Sequence, residues 1–357
     1  MNRPPSDSSA RHRPRPERIG RSVVRRAAGS VALLLVLGLA VYVLLPQIAT
    51  VERSLDVLRS LAIWAVFLAV VAQCLCYLCH GYVIRTLLAL FGQRLSMFRA
   101  MAIVMASYSL SLVWGGQITN TGATFRWLRT AGISPEAALM TGVAPALLNV
   151  LSFGAVSVFG LIYLLVVHKL SLILATAFAT ALILLLVGGV LLWWAMRHRA
   201  WLVSILQNLG AMWARLRRRS HDAGAARTTA ERLFSAWDLL MAGKWRRPVG
   251  GDALSVGFDF LTLYLLFVAA GHAASPGLVL AGYGLPILAG KLSILPGGVG
   301  VIEGGMVAAY GALGVPSATL VVVVLCYRLI SFWIPVLLGF AFAVYLDRQG
   351  RVPTSGT

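Results

Sequence analysis

The run Leu295-Pro296-Gly297-Gly298-Val299-Gly300-Val301-Ile302-Glu303-Gly304-Gly305 breaks helices and carries an acid, yet it sits inside a strongly apolar chain. The 357 residues are 59% hydrophobic and only 12% charged, with a mean hydropathy of +0.82. Lipid offers no hydrogen bonds, so a broken backbone at membrane depth is tolerated only where protein buries it or water reaches it. An ionisable group at that depth marks a functional site by default. Both features in one short run point to transport or lipid handling.

Outward from that run, apolar stretches fall near 30–46, 59–80, 98–115, 137–167, 171–196, 252–271, 278–295 and 316–346. A span needs about 20 apolar residues. The stretches at 98–115 and 278–295 are shorter and run into Gly-rich breaks, so they are read as halves of two re-entrant hairpins, 98–134 and 278–314. Full crossings by both would leave the topology's parity unchanged. The fold expected is an all-α polytopic membrane helix bundle with six full spans. A disordered basic tail at 1–29 precedes a transmembrane domain at 30–346, and a short tail at 347–357 follows it. The helix at 30–46 has no A-x-A cleavage site and reads as an uncleaved anchor.

A net charge of +19 would suggest nucleic acid in a soluble protein. Here the charges cluster: eight Arg lie in residues 1–29 and eleven Lys or Arg between Arg197 and Arg247. The loops at 47–60, 168–170 and 271–277 carry almost no net charge. That asymmetry follows the positive-inside rule, places both termini and the 197–250 loop in the cytoplasm, and removes nucleic acid as a partner. Arg outnumbers Lys 28 to 3, the bias of a GC-rich bacterial genome, so the membrane expected is a bacterial inner membrane. Basic residues beside it attract anionic inner-leaflet lipids, each by about 1 kcal/mol. Two apolar stripes in the loop, Trp201 to Leu216 and Leu233 to Met241, have helical spacing and Arg flanks. They suit helices lying in the headgroup layer.

The two hairpins look like copies. A shift of 182 residues places Gly115, Gly116, Gly122 and Gly132 on Gly297, Gly298, Gly304 and Gly314. Three crossings separate the copies, so the repeat would be inverted, an arrangement that transporters use to build a midplane site from broken helices. The breaks themselves are marked by Gly115, Gly116, Pro296, Gly297, Gly298 and Gly300.

Four ions fall within apolar segments: Asp259, Lys291, Glu303 and Arg328. Each central ion costs about 2.5–3.5 kcal/mol, so they must be paired, hydrated or neutralised. One reading is structural, pairing Glu303 with Arg328 or Asp259 with Lys291. The other is a water-lined anion site. There Arg328 and Lys291 hold a phosphate headgroup, for which the planar Arg fork is suited. Glu303 binds an amine or, like Asp259, carries a proton. In the first hairpin Gln117, Asn120 and Arg126 are candidates for the same headgroup, with Thr119, Thr121 and Thr124 beside them, and Asn149 is a further polar group in reach.

No phosphate-loop, dinucleotide or metal-ligand spacing occurs, and no catalytic constellation stands out, so neither a cofactor nor enzymatic activity is expected. Cys76-Tyr77-Leu78-Cys79-His80 fits the haem-attachment pattern. It ends a helix on the side assigned to the cytoplasm, so packing is the reading adopted.

Leu295 to Glu303, then Ala312-Leu313-Gly314-Val315-Pro316, Cys326-Tyr327-Arg328 and Ile334-Pro335 with Gly339 resemble the lysylphosphatidylglycerol synthase transmembrane region, also called the flippase-like or UPF0104 membrane family. Gly122-Ala123-Thr124-Phe125-Arg126 with Ala131 to Ser134 is similar to that family's first motif, but lacks its acidic residue. The resemblance spans about 30–346. It implies a stand-alone member that moves lipid without the synthase domain, so lysyl transfer is not carried over. The function expected is translocation of an anionic or zwitterionic headgroup, on a phospholipid or a glycolipid. The alternatives are an accessory subunit of a lipid-biosynthetic or cell-envelope enzyme and, third, an embedded transferase.

Overall fold

Apolar sequence and start signals together set the helices. The computed structural model describes residues 56–114, 116–167, 172–198, 243–293 and 295–349, with isolated positions at 204, 231, 234 and 238. The 1–29 tail, the helix at 30–46, Gly115 and nearly all of the two loop stripes lie outside the described residues. The helices with described bounds are α1 (Ile63–Ala89), α2 (Met97–Trp114), α3 (Gly116–Thr130), α4 (Pro135–Val166), α5 (Leu172–Arg197), α6 (Arg246–Ala269), α7 (Pro276–Leu292), α8 (Val301–Ala312), α9 (Ser317–Arg328) and α10 (Ile334–Gln349). Among the described residues there is no strand. The molecule is an all-α polytopic membrane bundle. Among the described residues four helices are long and apolar enough to cross a membrane: α1, α4, α6, and α9 with α10 taken as one.

Two starts show the local logic. Ser134 and Ser275 each accept from a backbone N–H three residues on, Ala137 and Leu278, at 3.4 and 3.3 Å. Pro135 and Pro276 follow at the first helical position, where no donor is needed. Outward faces stay apolar: Phe67, Phe159, Val166 and Leu186 are exposed, as lipid-facing side chains must be.

The 182-residue shift holds well beyond the glycines. Adding 182 to α1 gives 245–271, where α6 runs 246–269. The same addition carries α2 to 279–296 near α7, α3 to 298–312 over α8, and α4 to 317–348 over α9 and α10. Gly132 and Gly314, matched by the shift, both take positive φ, 82° and 87°, just before the long helix of each half. Packing obeys the same exchange. α1 packs on α6, α4 on α7, and α2 on α10. α1 and α6 run antiparallel, with Ala62 N–H donating to Ala269 O (2.9 Å) at one end and Gly251 against Tyr82 at the other. The halves are therefore inverted.

Both hairpins are broken pairs of helices. Thr124 Oγ1 donates to Ser107 Oγ (2.8 Å) across α2 and α3, and Gly305 packs on Pro286 across α7 and α8. At 15 and 12 residues, α3 and α8 are about 22 and 18 Å long, short of a hydrocarbon core of about 30 Å. Their open ends face opposite ways. The first opens beside the α10 end, through Arg126 to Asp347 and Phe98 to Tyr345. The second opens beside the α4 end, through Tyr163 to Ser275 (2.9 Å) and Tyr310 to Val279 O (2.6 Å). The tips converge, with α2 packed on the Pro296–Gly298 turn.

Candidate functional site

The break between α7 and α8 is the frame of the site. Gly297, Gly298 and Gly300 have φ of 64°, 62° and 85°, values a side chain would resist. The open start of α8 is closed by Glu303, whose Oε2 accepts from Gly300 N–H (2.7 Å). Its Oε1 accepts from Arg328 Nε (2.6 Å). Arg328 Nη2 also donates to Gly297 O (3.0 Å), and its guanidinium lies 4.3 Å from the Phe332 ring centre. A buried pair of this kind survives because extra hydrogen bonds satisfy what solvation no longer does. Of the two pairs weighed from sequence, Glu303 with Arg328 forms, and Arg328 holds the break together.

Just beyond Arg328 the helix widens into a π turn, Leu329–Trp333. Pro335 has no N–H, so the carbonyl four residues earlier, Ser331 O, loses its helical donor. Tyr77 of α1 supplies one, its hydroxyl donating to Ser331 O at 2.9 Å.

Between the hairpin tips lies a cavity of about 160 Å³, room for about five waters. Lys291, Asp259 and Arg328 face it, with Gln73 and Tyr77 from α1. Among the described residues no carboxylate lies within 4.0 Å of Lys291 Nζ, which sits 4.9 Å from the Phe153 ring centre. The alternative pairing of Asp259 with Lys291 is thus not formed. Asp259 Oδ2 instead accepts from Tyr283 (2.6 Å) and Tyr327 (2.7 Å). Gln73 is 4% exposed and its Oε1 has no partner among the described residues.

Asn120 and Thr124 from the first hairpin line a smaller cavity of about 50 Å³. His80, Tyr108 and Asn149 line both cavities and lie between them. Arg126 does not join the other cations. Its guanidinium pairs with Asp347 at 2.8 Å on an exposed surface, because α3 turns this position toward the end of α10. Glu303 is not among the groups facing the main cavity, since both its oxygens are engaged at the break. Gln117 falls in α3, but its side chain lies outside the described residues, as does Gly115. Cys76 and His80 are packed within the bundle, His80 lying against Tyr77 and Tyr108.

Several polar residues here escaped the sequence reading. Asp252 accepts from Asn149 Nδ2 (3.2 Å) and Ser152 Oγ (2.5 Å), joining α6 to α4. It lies seven residues before Asp259, two turns along one face. Gln73, Tyr77 and His80 likewise follow the i, i+4, i+7 stripe of a single face on α1. Those spacings were the available signal.

Residues 23–339 match the family described as lysylphosphatidylglycerol synthase TM region. A UPF0104 membrane protein of Methanocaldococcus jannaschii is 28% identical over 92 residues. That match covers 26% of this chain and 27% of the archaeal protein, about a quarter of its length. With nearly the whole membrane part matched, both hairpins included, the chain belongs to the lysylphosphatidylglycerol synthase TM region family.

Proposed function

We propose that this protein is a lipid translocase of a bacterial inner membrane, with both termini in the cytoplasm. It passes an anionic or zwitterionic headgroup between the two hairpin tips while the acyl tails stay in the bilayer. The observation that carries the reading is Lys291, a cation without a carboxylate within 4.0 Å among the described residues, facing a polar cavity where two inverted hairpins meet. In this reading Lys291 takes the phosphate. Asp259, whose Oδ1 accepts from no described residue, takes an amine or a proton. Gln73 Oε1 accepts from a headgroup hydroxyl or amine. Arg328 and Glu303 act as a latch on the break rather than as headgroup ligands.

Antiparallel halves of matched length support exchange of access, because two conformations related by the pseudo-symmetry open to opposite sides. The work done is positioning and charge compensation, with no covalent step, and the drive is a lipid gradient or proton coupling at Asp259. The test is movement of fluorescent phosphatidylglycerol, aminoacyl-phosphatidylglycerol and glycolipid analogues in liposomes holding the purified protein. Movement of one class, lost in Lys291→Met at unchanged thermal stability, is the expected result. No movement of any lipid by folded protein overturns it in favour of an accessory subunit of a lipid enzyme.

A further inference from the structure

A second pocket, of about 790 Å³, opens where the last turns of α1 and the α1–α2 loop meet the start of α6. Arg85, Arg94, Lys244, Arg246 and Arg247 line it, and among the described residues no acid does. Among the described residues none of the five has a carboxylate within 4.0 Å. Arg85 Nη1 reaches only Met97 Sδ, at 4.0 Å. The cations come from two segments some 150 residues apart in the chain, so no single basic run produces them.

A convex, solvated surface would satisfy the positive-inside rule equally well. This one is concave, its five cations are exposed, and the two helices that frame it pack closely. Gly251 of α6 lies so close to α1 that a Cβ there would come within 2.8 Å of Tyr82 Cδ1. Like charges gathered around one concavity repel one another, and an anion bound among them relieves that repulsion. A concavity with five cations and, among the described residues, no acid is therefore suited to an anion. One phosphodiester, with a single charge, would leave four cations uncompensated. Leu90 and Leu95 give the pocket an apolar side, and Trp245 beside it is 42% exposed, as befits the water–lipid boundary.

We infer that this pocket binds a phosphate group carrying at least two negative charges, a phosphomonoester or a diphosphate, at the membrane surface. It shares no lining residue with either inner cavity. Arg85 is nevertheless five residues, about 7.5 Å along α1, from His80, which lines both inner cavities. The inference stands whether or not the protein translocates lipid.

The experiment uses the full chain in phosphatidylcholine nanodiscs. It measures binding of phosphatidate, phosphatidylglycerol and free inorganic pyrophosphate at ionic strengths of about 0.05 and about 0.5 M. Phosphatidate should bind about tenfold tighter than phosphatidylglycerol and weaken at the higher ionic strength. R85Q/R246Q should lose about tenfold of that affinity, in the wild-type chain and equally in a Lys291→Met background, where the central cavity lacks its phosphate-binding cation. Competition by pyrophosphate would make a free phosphate compound the source, and its absence a lipid headgroup. Should R85Q/R246Q fail to fold, R94Q/K244Q gives the same reading. Equal binding of phosphatidate and phosphatidylglycerol, or wild-type binding by a folded double variant, overturns the inference.

Discussion

At the residue scale the two cations beside the hairpin break do different work, and substitution separates them. Arg328 is 4% exposed and makes two hydrogen bonds that close the break. Arg328→Met strands Glu303, and Glu303→Gln weakens the hold on Arg328, so each should cost about 3 kcal/mol in unfolding free energy. The double variant, lacking both charges, should recover much of that loss. Chemical unfolding in mild detergent of all four proteins tests this, and additive losses would show that the pair does not couple. Lys291 faces the cavity without an ion pair among the described residues. Lys291→Met should keep or raise the unfolding midpoint while abolishing headgroup movement, the trade expected where a charge is retained for function. Lys291 lies five residues before Pro296 and Arg328 seven before Pro335, both on apolar helices, so sequence alone ranks them equally; only their neighbours distinguish them.

At the element scale the π turn between α9 and α10 depends on a donor from another helix. Tyr77→Phe leaves Ser331 O without its donor, and should cost about 1–3 kcal/mol. In a Pro335→Ala background the restored N–H can serve that carbonyl, so the same Tyr77→Phe should cost less than half as much. Equal cost in both backgrounds would detach Tyr77 from the proline. Helix crossings give a second handle. At Gly284 of α7 a Cβ would fall 2.8 Å from the backbone N of Ser157 in α4. Gly284→Val should therefore destabilise the protein by about 1–3 kcal/mol, whereas Gly257→Val, with open space around it, should not. Thermal melts of the two variants make the comparison directly.

At the scale of the whole molecule, inverted halves assign each loop to a side. In a background with Cys74, Cys76, Cys79 and Cys326 replaced by Ser, single cysteines at Arg94 and Lys244 should react with a membrane-impermeant maleimide from one side. A cysteine at His272 should react from the other. Labelling of all three from the same side would contradict the antiparallel packing of α1 on α6. Much of this architecture is legible in the chain because it is local or repetitive. Hydropathy gives the apolar helices, Ser-Pro pairs give the starts of α4 and α7, and matched glycines give the 182-residue repeat. The bounds of α6 differ, beginning at Arg246 rather than 252, because its first turn is polar and carries no hydropathy signal. What no local pattern contains is which side chains meet. Arg126 carries the same charge as Arg328, yet it pairs with Asp347 on the surface while Arg328 closes the break. Asp259 is held by two tyrosines from α7 and α9 rather than by Lys291. The sequence determined an inverted pair of broken helices in a membrane, since periodicity and backbone breaks act along the chain. Tertiary structure alone decided which charges are spent on holding the break and which face the cavity, since their partners arrive from helices distant in the chain.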